Sequence, residues 1–223
     1  MKNILFIFLA IMQCTSCASQ SNFNQFIQNF NEINLPLEDI QRLTITDTLN
    51  GKLTNDIIIR NQKEKPKYVS YNDKLKTVDK YYGLYPEEPD DYLKDVKNNK
   101  GEWEEKRFYF YPKISPIGKL DLNEDYISLI IKVVGFETTF YDLWNFSKDG
   151  KALSVICLFW GLRDDGPKSE EVTYTIVDSK ITNEGLIKWH ENADGLETFR
   201  TYKLNEDGYF EIIKEEQKGE YEF

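Results

Sequence analysis

Apolar residues on both faces of one short segment mark the predicted centre of the fold. Residues 152–160 (ALSVICLFW) are apolar at odd and even positions alike, with Ser154 as the exception. A strand with one face in water would alternate apolar and polar residues. We therefore expect a central strand with neighbours on both edges and cover on both faces. The turn at residues 147–150 (SKDG) joins it to the largely apolar residues 140–146 and predicts a hairpin.

Short β-like runs separated by turns extend this hairpin in both directions. The predicted strands are residues 107–112, 126–134, 140–146, 152–160, 172–177, 185–190, 197–204 and 209–213. Five turns between them contain an acidic residue followed by a glycine, a pair that favours the positive φ of tight turns. These glycines are Gly150, Gly166, Gly185, Gly195 and Gly208. The series predicts an antiparallel meander.

A stripe of apolar residues with helical spacing lies near the N-terminus. It consists of Phe23, Phe26, Ile27 and Phe30. Positions i, i+3, i+4 and i+7 share one face of a helix, so we expect a short amphipathic helix that starts at a cap on residue 21 or 22 and stops before Pro36. The polar face of this helix carries no Lys or Arg. That composition favours a helix that covers the core over one that lies on lipid.

The region that follows is less regular. Two β-like runs, residues 43–46 and 56–60, flank the turn dipeptide Asn50-Gly51 and predict a hairpin. Residues 68–100 then mix helical spacing with an acidic loop at residues 86–91 (PEEPDD). We expect a second short helix after Asp90 or Asp91. This segment is the predicted insertion.

The insertion is also the predicted contact surface. Irregular segments on a rigid scaffold carry binding groups more often than strands do. Tyrosines cluster here, and each offers a flat apolar face with a polar tip, although the same side chains are equally consistent with the edge of a core. The residues of the predicted contact surface are Tyr81, Tyr82, Tyr85, Glu87, Glu88, Asp90 and Asp91.

Taken together, the elements predict the α+β class. We expect a single domain over residues 21–223, mainly antiparallel β in a meander or sandwich-like sheet, with an N-terminal amphipathic helix and a short helical insertion at about residues 68–100. A chain of 223 residues with 40% hydrophobic content is long and apolar enough for a real core. Its net charge of −10 leaves no basic stripe for a phosphate backbone, which argues against nucleic acid as a partner.

The first residues have the pattern of an export signal. Lys2 precedes an apolar run of nine residues, 4–12, whereas a membrane-spanning helix needs about 20 apolar residues. The small residues Thr15 and Ser16 before Cys17 resemble the lipobox of bacterial lipoproteins, although Cys14 stands where that family usually has an aliphatic residue. The resemblance implies a signal peptide over residues 1–16, a lipid on Cys17 and a linker over residues 17–20.

The resemblance also implies a location. The residues after Cys17 are Ala18, Ser19 and Gln20, without an aspartate next to the cysteine. This is similar to the lipoproteins of Gram-negative bacteria that are passed on to the outer membrane. We therefore expect a lipid-anchored protein of the cell envelope, in the outer membrane and facing the periplasm.

The sequence lacks the familiar catalytic motifs. The chain has no Gly-rich phosphate loop, no His-Glu-x-x-His helix and no Gly-x-Ser-x-Gly elbow. Its single histidine, His190, has no nucleophile at a recognisable spacing, and Cys157 is the only cysteine left after processing at Cys17. A lone cysteine in an apolar strand is most often a small core residue. We assign no catalytic residue and no cofactor.

Residues 121–125 have part of the pattern of a calcium-binding loop. Asp121, Asn123 and Asp125 have the spacing of the first three ligands of an EF-hand loop. The motif fails where it is most specific, because Tyr126 replaces the required glycine and Lys132 replaces the required glutamate. We assign no metal site.

Three hypotheses on function remain. The preferred one is a non-enzymatic protein that binds a partner, an envelope protein or a glycan, at the cell envelope. The second is a carbohydrate-binding module built on exposed aromatic side chains, among them Trp103, Trp144, Trp160 and Trp189. The third is a hydrolase with two facing carboxylates, one with a raised pKa, because such a pair needs no sequence motif.

Overall fold

A computed structural model gives the fold and describes residues 23–43, 67–69, 75–77, 90–110, 113–135, 137–162, 172–193 and 195–220. The strands within them are β1 (Glu32–Ile33), β2 (Lys67–Val69), β3 (Leu75–Thr77), β4 (Asp90–Lys97), β5 (Trp103–Phe110), β6 (Lys113–Leu120), β7 (Tyr126–Val134), β8 (Thr138–Ser147), β9 (Ala152–Leu162), β10 (Tyr174–Ile181), β11 (Ile187–Ala193), β12 (Leu196–Leu204) and β13 (Phe210–Lys218). A 3-10 helix covers Ile40–Arg42. The hairpin predicted around Asn50-Gly51 lies outside the described residues.

Strands β6 to β13 form an antiparallel meander in chain order. This confirms the predicted β-rich antiparallel architecture. The sheet is mixed, because β1 runs parallel to β6 and β2 runs parallel to β9. Four of the five predicted turn glycines have φ between 72° and 90°, namely Gly150, Gly185, Gly195 and Gly208; Gly166 lies outside the described residues.

Strand β9 has the central position that its apolar pattern predicts. One edge pairs with β8 along the whole strand. The other edge pairs with β2 at Ser154 and Val155 and with β10 from Trp160 onward. Buried side chains lie on both faces of the strand. The prediction of a strand with two bordered edges and two covered faces is therefore confirmed.

Two apolar clusters cover the two faces of the central strands. The cluster that we call the meander core gathers side chains from β6 to β13, including Ile130, Leu143, Ile156 and Phe210. The cluster that we call the N-terminal core lies on the opposite side. Its buried members are Phe23, Phe26, Phe30, Ile114, Leu129, Ile131, Val133, Trp144, Phe146, Ala152 and Val155.

The N-terminal stripe of phenylalanines packs on this second face. Residues 23–27 are helical, and the chain leaves the helix before β1. Phe23 lies 5.2 Å from Phe146 between ring centroids, and Phe26 lies 5.2 Å from Phe30. The stripe therefore covers the sheet, as its polar face without Lys or Arg suggested. A helix that continues toward Pro36 is not formed, since β1 begins at Glu32.

A buried polar network holds the β12–β13 turn against the central strands. Asn145 is fully buried and donates from Nδ2 to the carbonyl of Gly208 at 2.8 Å. Ser154 Oγ donates to the same carbonyl at 2.8 Å, and Ser128 Oγ donates to Asn145 Oδ1 at 2.8 Å. Buried polar groups are tolerated when they are paired in this way. The network joins β7, β8 and β9 to the far end of the meander.

The prediction of a second short helix after Asp90 or Asp91 is wrong. Strand β4 occupies this segment and pairs with β5 in a separate two-stranded sheet, which we call the ribbon. The turn of the ribbon has its own chemistry, since Asn98 Oδ1 accepts from the backbone N–H of Lys100 and of Glu102. Gly101 follows with a φ of 81°. These turn residues bring the two strands together. The predicted helix depended on only a few apolar residues at helical spacing, which is a weaker signal.

Strand β6 was missed by the sequence pattern. Pro116 and Gly118 interrupt it, and both residues are depleted in strands. The structure accommodates them in a register shift between these two positions. A Cβ on Gly118 would lie 2.2 Å from the Ile33 side chain, so the missing side chain lets β1 approach.

Candidate functional site

The predicted contact surface is only partly described. Tyr81, Tyr82, Tyr85, Glu87 and Glu88 lie outside the described residues. The two others, Asp90 and Asp91, open strand β4 at the base of the ribbon, in register with Phe110 and Tyr109 of β5. The structure therefore places the end of the predicted surface on a β-ribbon.

Side chains at the turn end of the ribbon are exposed or partly exposed. None of residues 95–107 is buried. At its end Trp103 keeps 68% of its surface exposed, and the Lys97 ammonium lies 5.0 Å from its ring centroid. In the described part of the chain β4 and β5 pair only with each other. One edge of each strand, with its backbone N–H and C=O groups, therefore has no strand partner among the described residues.

Charge is dense along the ribbon. Eight of the thirteen residues 95–107 are charged, four of each sign. Asp95 and Glu105 lie directly opposite one another in the register, and both are exposed. Like charges in that position destabilise a strand pair. This pair therefore weakens the ribbon locally.

A groove of about 400 Å³ lies on the sheet formed by β10 to β13. It is the second candidate binding site, after the ribbon. Four side chains of one register row cross it, from Lys180 through Lys188 and Thr201 to Lys214. The lining residues are Asp178, Ser179, Lys180, Lys188, Trp189, His190, Phe199, Arg200, Thr201, Lys214 and Glu216.

The lysines of this row differ in their partners. Lys180 Nζ lies 3.2 Å from the Glu38 carboxylate. Lys188 Nζ donates to Thr201 Oγ1 at 3.2 Å. Among the described residues no carboxylate lies within ion-pair distance of Lys188 or Lys214. Two cations of this surface are therefore available to a ligand.

His190 belongs to the neighbouring row of the groove. Its ring stacks on Phe199 with centroids 4.5 Å apart, and the Lys218 ammonium lies 4.9 Å from the Phe199 ring centroid. His190 Nε2 is 3.3 Å from a Glu197 carboxylate oxygen, without hydrogen-bond geometry. These neighbours give the histidine a packing role, and no serine or cysteine nucleophile is among them.

The meander core has a polar end beneath the groove. Arg200 is buried, with Nε 2.5 Å from a Glu215 carboxylate oxygen and its guanidinium 5.4 Å from the Trp189 ring centroid. Ser179 Oγ and Thr198 Oγ1 are buried nearby without a hydrogen-bond partner. Such unpaired groups cost free energy and lower the stability of this end of the core.

Glu191 is the described carboxyl that bears on the hydrolase hypothesis. Burial raises its pKa, against the opposing effect of the Arg200 and His190 charges. A glycosidase needs a second carboxylate at about 5 to 9.5 Å. Glu215 on the same sheet is engaged with Arg200. The hydrolase therefore stays a prediction that rests on one carboxyl group.

The thiol of Cys157 is held in its protonated form. Burial raises its pKa well above the usual range, and the neighbouring Asp142 carboxylate adds to this effect. The sulfur donates weakly to the Phe159 carbonyl at 3.2 Å. A thiolate is the reactive form of cysteine. Cys157 accordingly behaves as the small apolar residue that the sequence suggested.

The four tryptophans fall into different environments. Trp144 and Trp189 are buried core residues, which removes them from any glycan-binding platform. Trp160 is half-buried and stacks on Phe140 with centroids 5.9 Å apart. Trp103 on the ribbon remains as the exposed ring. The aromatic surface proposed for carbohydrate binding is thus reduced to one tryptophan in the described part of the chain.

The calcium-like spacing at residues 121–125 serves a turn. Asn123 Oδ1 accepts from the backbone N–H of Asp125 at 2.8 Å, and its carbonyl accepts from the N–H of Tyr126. Within the described ranges no three His, Cys, Asp or Glu side chains are grouped to hold a metal ion. The same ranges contain no helix of the length and apolarity needed to span a membrane.

Comparison of the chain with protein-family models, curated proteins and solved structures finds no match. Function is therefore inferred from the ribbon and the groove themselves.

Proposed function

We propose that this protein is a lipid-anchored component of the cell envelope with a non-enzymatic binding role, and that the ribbon is its contact surface. The observation that carries the proposal is the exposure of the ribbon. No residue from 95 to 107 is buried, and Trp103 at the end of the ribbon is 68% exposed. Tryptophan is enriched where proteins bind one another, because it supplies a large contact area at a low entropic cost.

The edges of the ribbon suit a protein partner. An isolated two-stranded hairpin is marginally stable in water, and the opposed Asp95 and Glu105 weaken this one further. A strand of a partner that adds to either edge would satisfy backbone groups and stabilise the pair. The many charges along the ribbon keep the free form soluble. These properties favour a reversible contact over a permanent apolar interface.

The anchor would keep this surface near the membrane. Phe23, the first described residue, lies six positions after Cys17, and a chain of that length spans at most about 20 Å when extended. A domain on such a tether meets partners within the envelope. Cys17→Ala is expected to move the protein from the membrane to the soluble fraction on cell fractionation, and retention in the membrane would contradict the anchor.

The contact surface is tested by photo-crosslinking in cells. The full chain carries p-benzoylphenylalanine in place of Trp103 or, as the matched control, in place of Tyr174, an aromatic residue of the main sheet that is 46% exposed. We expect a reproducible protein adduct from position 103 and none of the same mass from position 174. Absence of an adduct at position 103, or identical adducts from both positions, would exclude the ribbon as a specific contact surface.

Carbohydrate binding is the second candidate, and the exposed Trp103 ring favours it. A sugar ring stacks on such a face, and Lys97 beside it adds a hydrogen-bond donor. Native gels that contain a polysaccharide test this function. Retardation of the full chain that is lost in Trp103→Ala and kept in Tyr174→Ala would replace the protein partner with a glycan.

A further inference from the structure

The groove on β10 to β13 carries an arrangement that the proposed function does not use. Lys188, Thr201 and Lys214 form one register row on three neighbouring strands. Residues in such a row point to the same side of a sheet, and neighbouring strands are about 4.8 Å apart. The two lysines therefore start about 10 Å apart, with the threonine hydroxyl between them. Their long side chains can converge above that hydroxyl.

The hydrogen-bond donors of this row are not all used by contacts within the described residues. Lys188 Nζ donates to Thr201 Oγ1 at 3.2 Å, which leaves the hydrogen of the hydroxyl for another acceptor. Neither Lys188 nor Lys214 has a described carboxylate at ion-pair distance, whereas Lys180 is paired with Glu38 and Lys218 with Glu216. Thr201 is buried, so its hydroxyl sits at the floor of the groove.

We infer that this groove binds a phosphate or sulfate group. Two ammonium groups and one hydroxyl, supplied by three strands, match three oxygens of a tetrahedral oxyanion, and charge-assisted hydrogen bonds of this kind are strong. A volume of about 400 Å³ exceeds what the oxyanion alone needs and falls in the range of small-molecule sites. The ligand is therefore an organic phosphate or sulfate whose remaining atoms lie along the groove.

Two carboxylates line the groove, and Glu216 is paired with Lys218. The carboxylate that limits this site is therefore Asp178. It lines the groove on β10, in register with His190, and no cation lies within ion-pair distance of it in the described residues. Its charge opposes an anionic ligand. Removal of Lys188 or Lys214 should therefore weaken binding, whereas removal of the Asp178 charge should strengthen it.

The test is isothermal titration calorimetry on the full chain in neutral detergent at constant ionic strength. Inorganic pyrophosphate is the soluble probe, and dihexanoyl phosphatidylglycerol is the lipid-headgroup probe, with dihexanoyl phosphatidylcholine as its zwitterionic control. Saturable binding of either anionic probe is expected, and the tighter of the two shows whether the natural ligand is a soluble phosphate or a headgroup. Failure of both probes to bind would overturn the inference.

Four variants locate the binding. Lys188→Gln and Lys214→Gln should each weaken it at least about tenfold, the effect of one lost charge-assisted hydrogen bond. Asp178→Asn should tighten it by a few fold. Lys148→Gln, at an exposed turn between β8 and β9, is the matched control and should leave it unchanged. A loss in Lys148→Gln equal to the loss in Lys188→Gln would show attraction by overall charge alone and overturn the site.

Discussion

The central strands and the ribbon use the same antiparallel pairing in opposite surroundings. Trp144 on β8 is fully buried between its sheet and the N-terminal segment, whereas Trp103 on β5 is 68% exposed. The neighbours along each strand explain the difference. Leu143 and Phe146 lie beside Trp144 and are buried in the two opposite cores, while Glu104, Glu105 and Lys106 follow Trp103. An aromatic residue is buried when the surrounding pattern supplies a second apolar layer, and the charged neighbours of Trp103 supply none.

The largest expected effect is at the centre. Trp144→Ala should lower the free energy of unfolding by about 3 to 5 kcal/mol, because it opens a cavity in the N-terminal core. Urea denaturation followed by circular dichroism measures the loss. A loss below about 1 kcal/mol would mean that the N-terminal segment does not cover this face.

A smaller loss is expected from the polar network that joins the two ends of the meander. Asn145→Ala removes the donor to Gly208 and leaves Ser128 without its acceptor. Unpaired buried groups cost about 1 to 3 kcal/mol each, so we expect a loss of about 2 kcal/mol in the same assay. Ser147→Ala, at the partly exposed end of β8, is the control and should cost less, because its hydrogen bonds to Lys151 are exposed to water.

At the polar end of the meander core, Glu191 should make the free energy of unfolding depend on pH. Burial raises the pKa of Glu191 above its ordinary value of 4.5. The unfolded chain therefore loses this proton first, and stability that is fully present below that value is lost as pH rises through the folded pKa. Glu191→Gln cannot ionise and should escape this loss, which we expect to be under about 1 kcal/mol because the side chain is only partly buried.

Urea unfolding of both proteins at pH 4 and pH 7 measures the effect. The free energy of unfolding of Glu191→Gln, relative to that of the unmodified chain, should be higher at pH 7 than at pH 4. Glu124→Gln, at an exposed turn, controls for the loss of one negative charge. The same shift in both variants would contradict a specific effect of burial at Glu191.

The smallest stability effect is expected at the ribbon. Trp103→Ala should change the free energy of unfolding by less than about 0.5 kcal/mol, since an exposed side chain loses little packing. It carries the same chemical change as Trp144→Ala, so the pair compares the two regions directly. Equal losses from the two substitutions would show that the ribbon is packed against the fold.

Most of the sheet follows from local sequence signals. The acidic residue–Gly turns and the two-sided apolar run of β9 predicted the meander, because positive φ and full burial each restrict the allowed residues. β6 was missed since Pro116 and Gly118 hide a strand that long-range pairing with β7 stabilises. The helix predicted after Asp90 failed because weak helical spacing competes poorly with turn chemistry at Asn98 and pairing with β5.

The candidate sites were harder to predict than the fold. The predicted contact surface includes Asp90 and Asp91 of the ribbon but not Trp103. The sequence suggested Trp103 for carbohydrate binding instead. The lysine row was not recognised, because Lys188, Thr201 and Lys214 are distant in the sequence and meet only through strand register. Alternation of polar residues in β11 to β13 predicts an outward face but does not show which strands are neighbours.

Hydrogen–deuterium exchange on the full chain in detergent tests the central claim most directly. The claim is that, among the described strands, β4 and β5 are held by pairing with each other alone and offer their outer edges to a partner. Amides of residues 95–107 should exchange at the earliest labelling times, because an isolated hairpin opens often. Amides of β7, β8 and β9 should stay protected until global unfolding. Equal protection of the ribbon and the central strands would contradict the account, since it would show that the ribbon is packed into the domain.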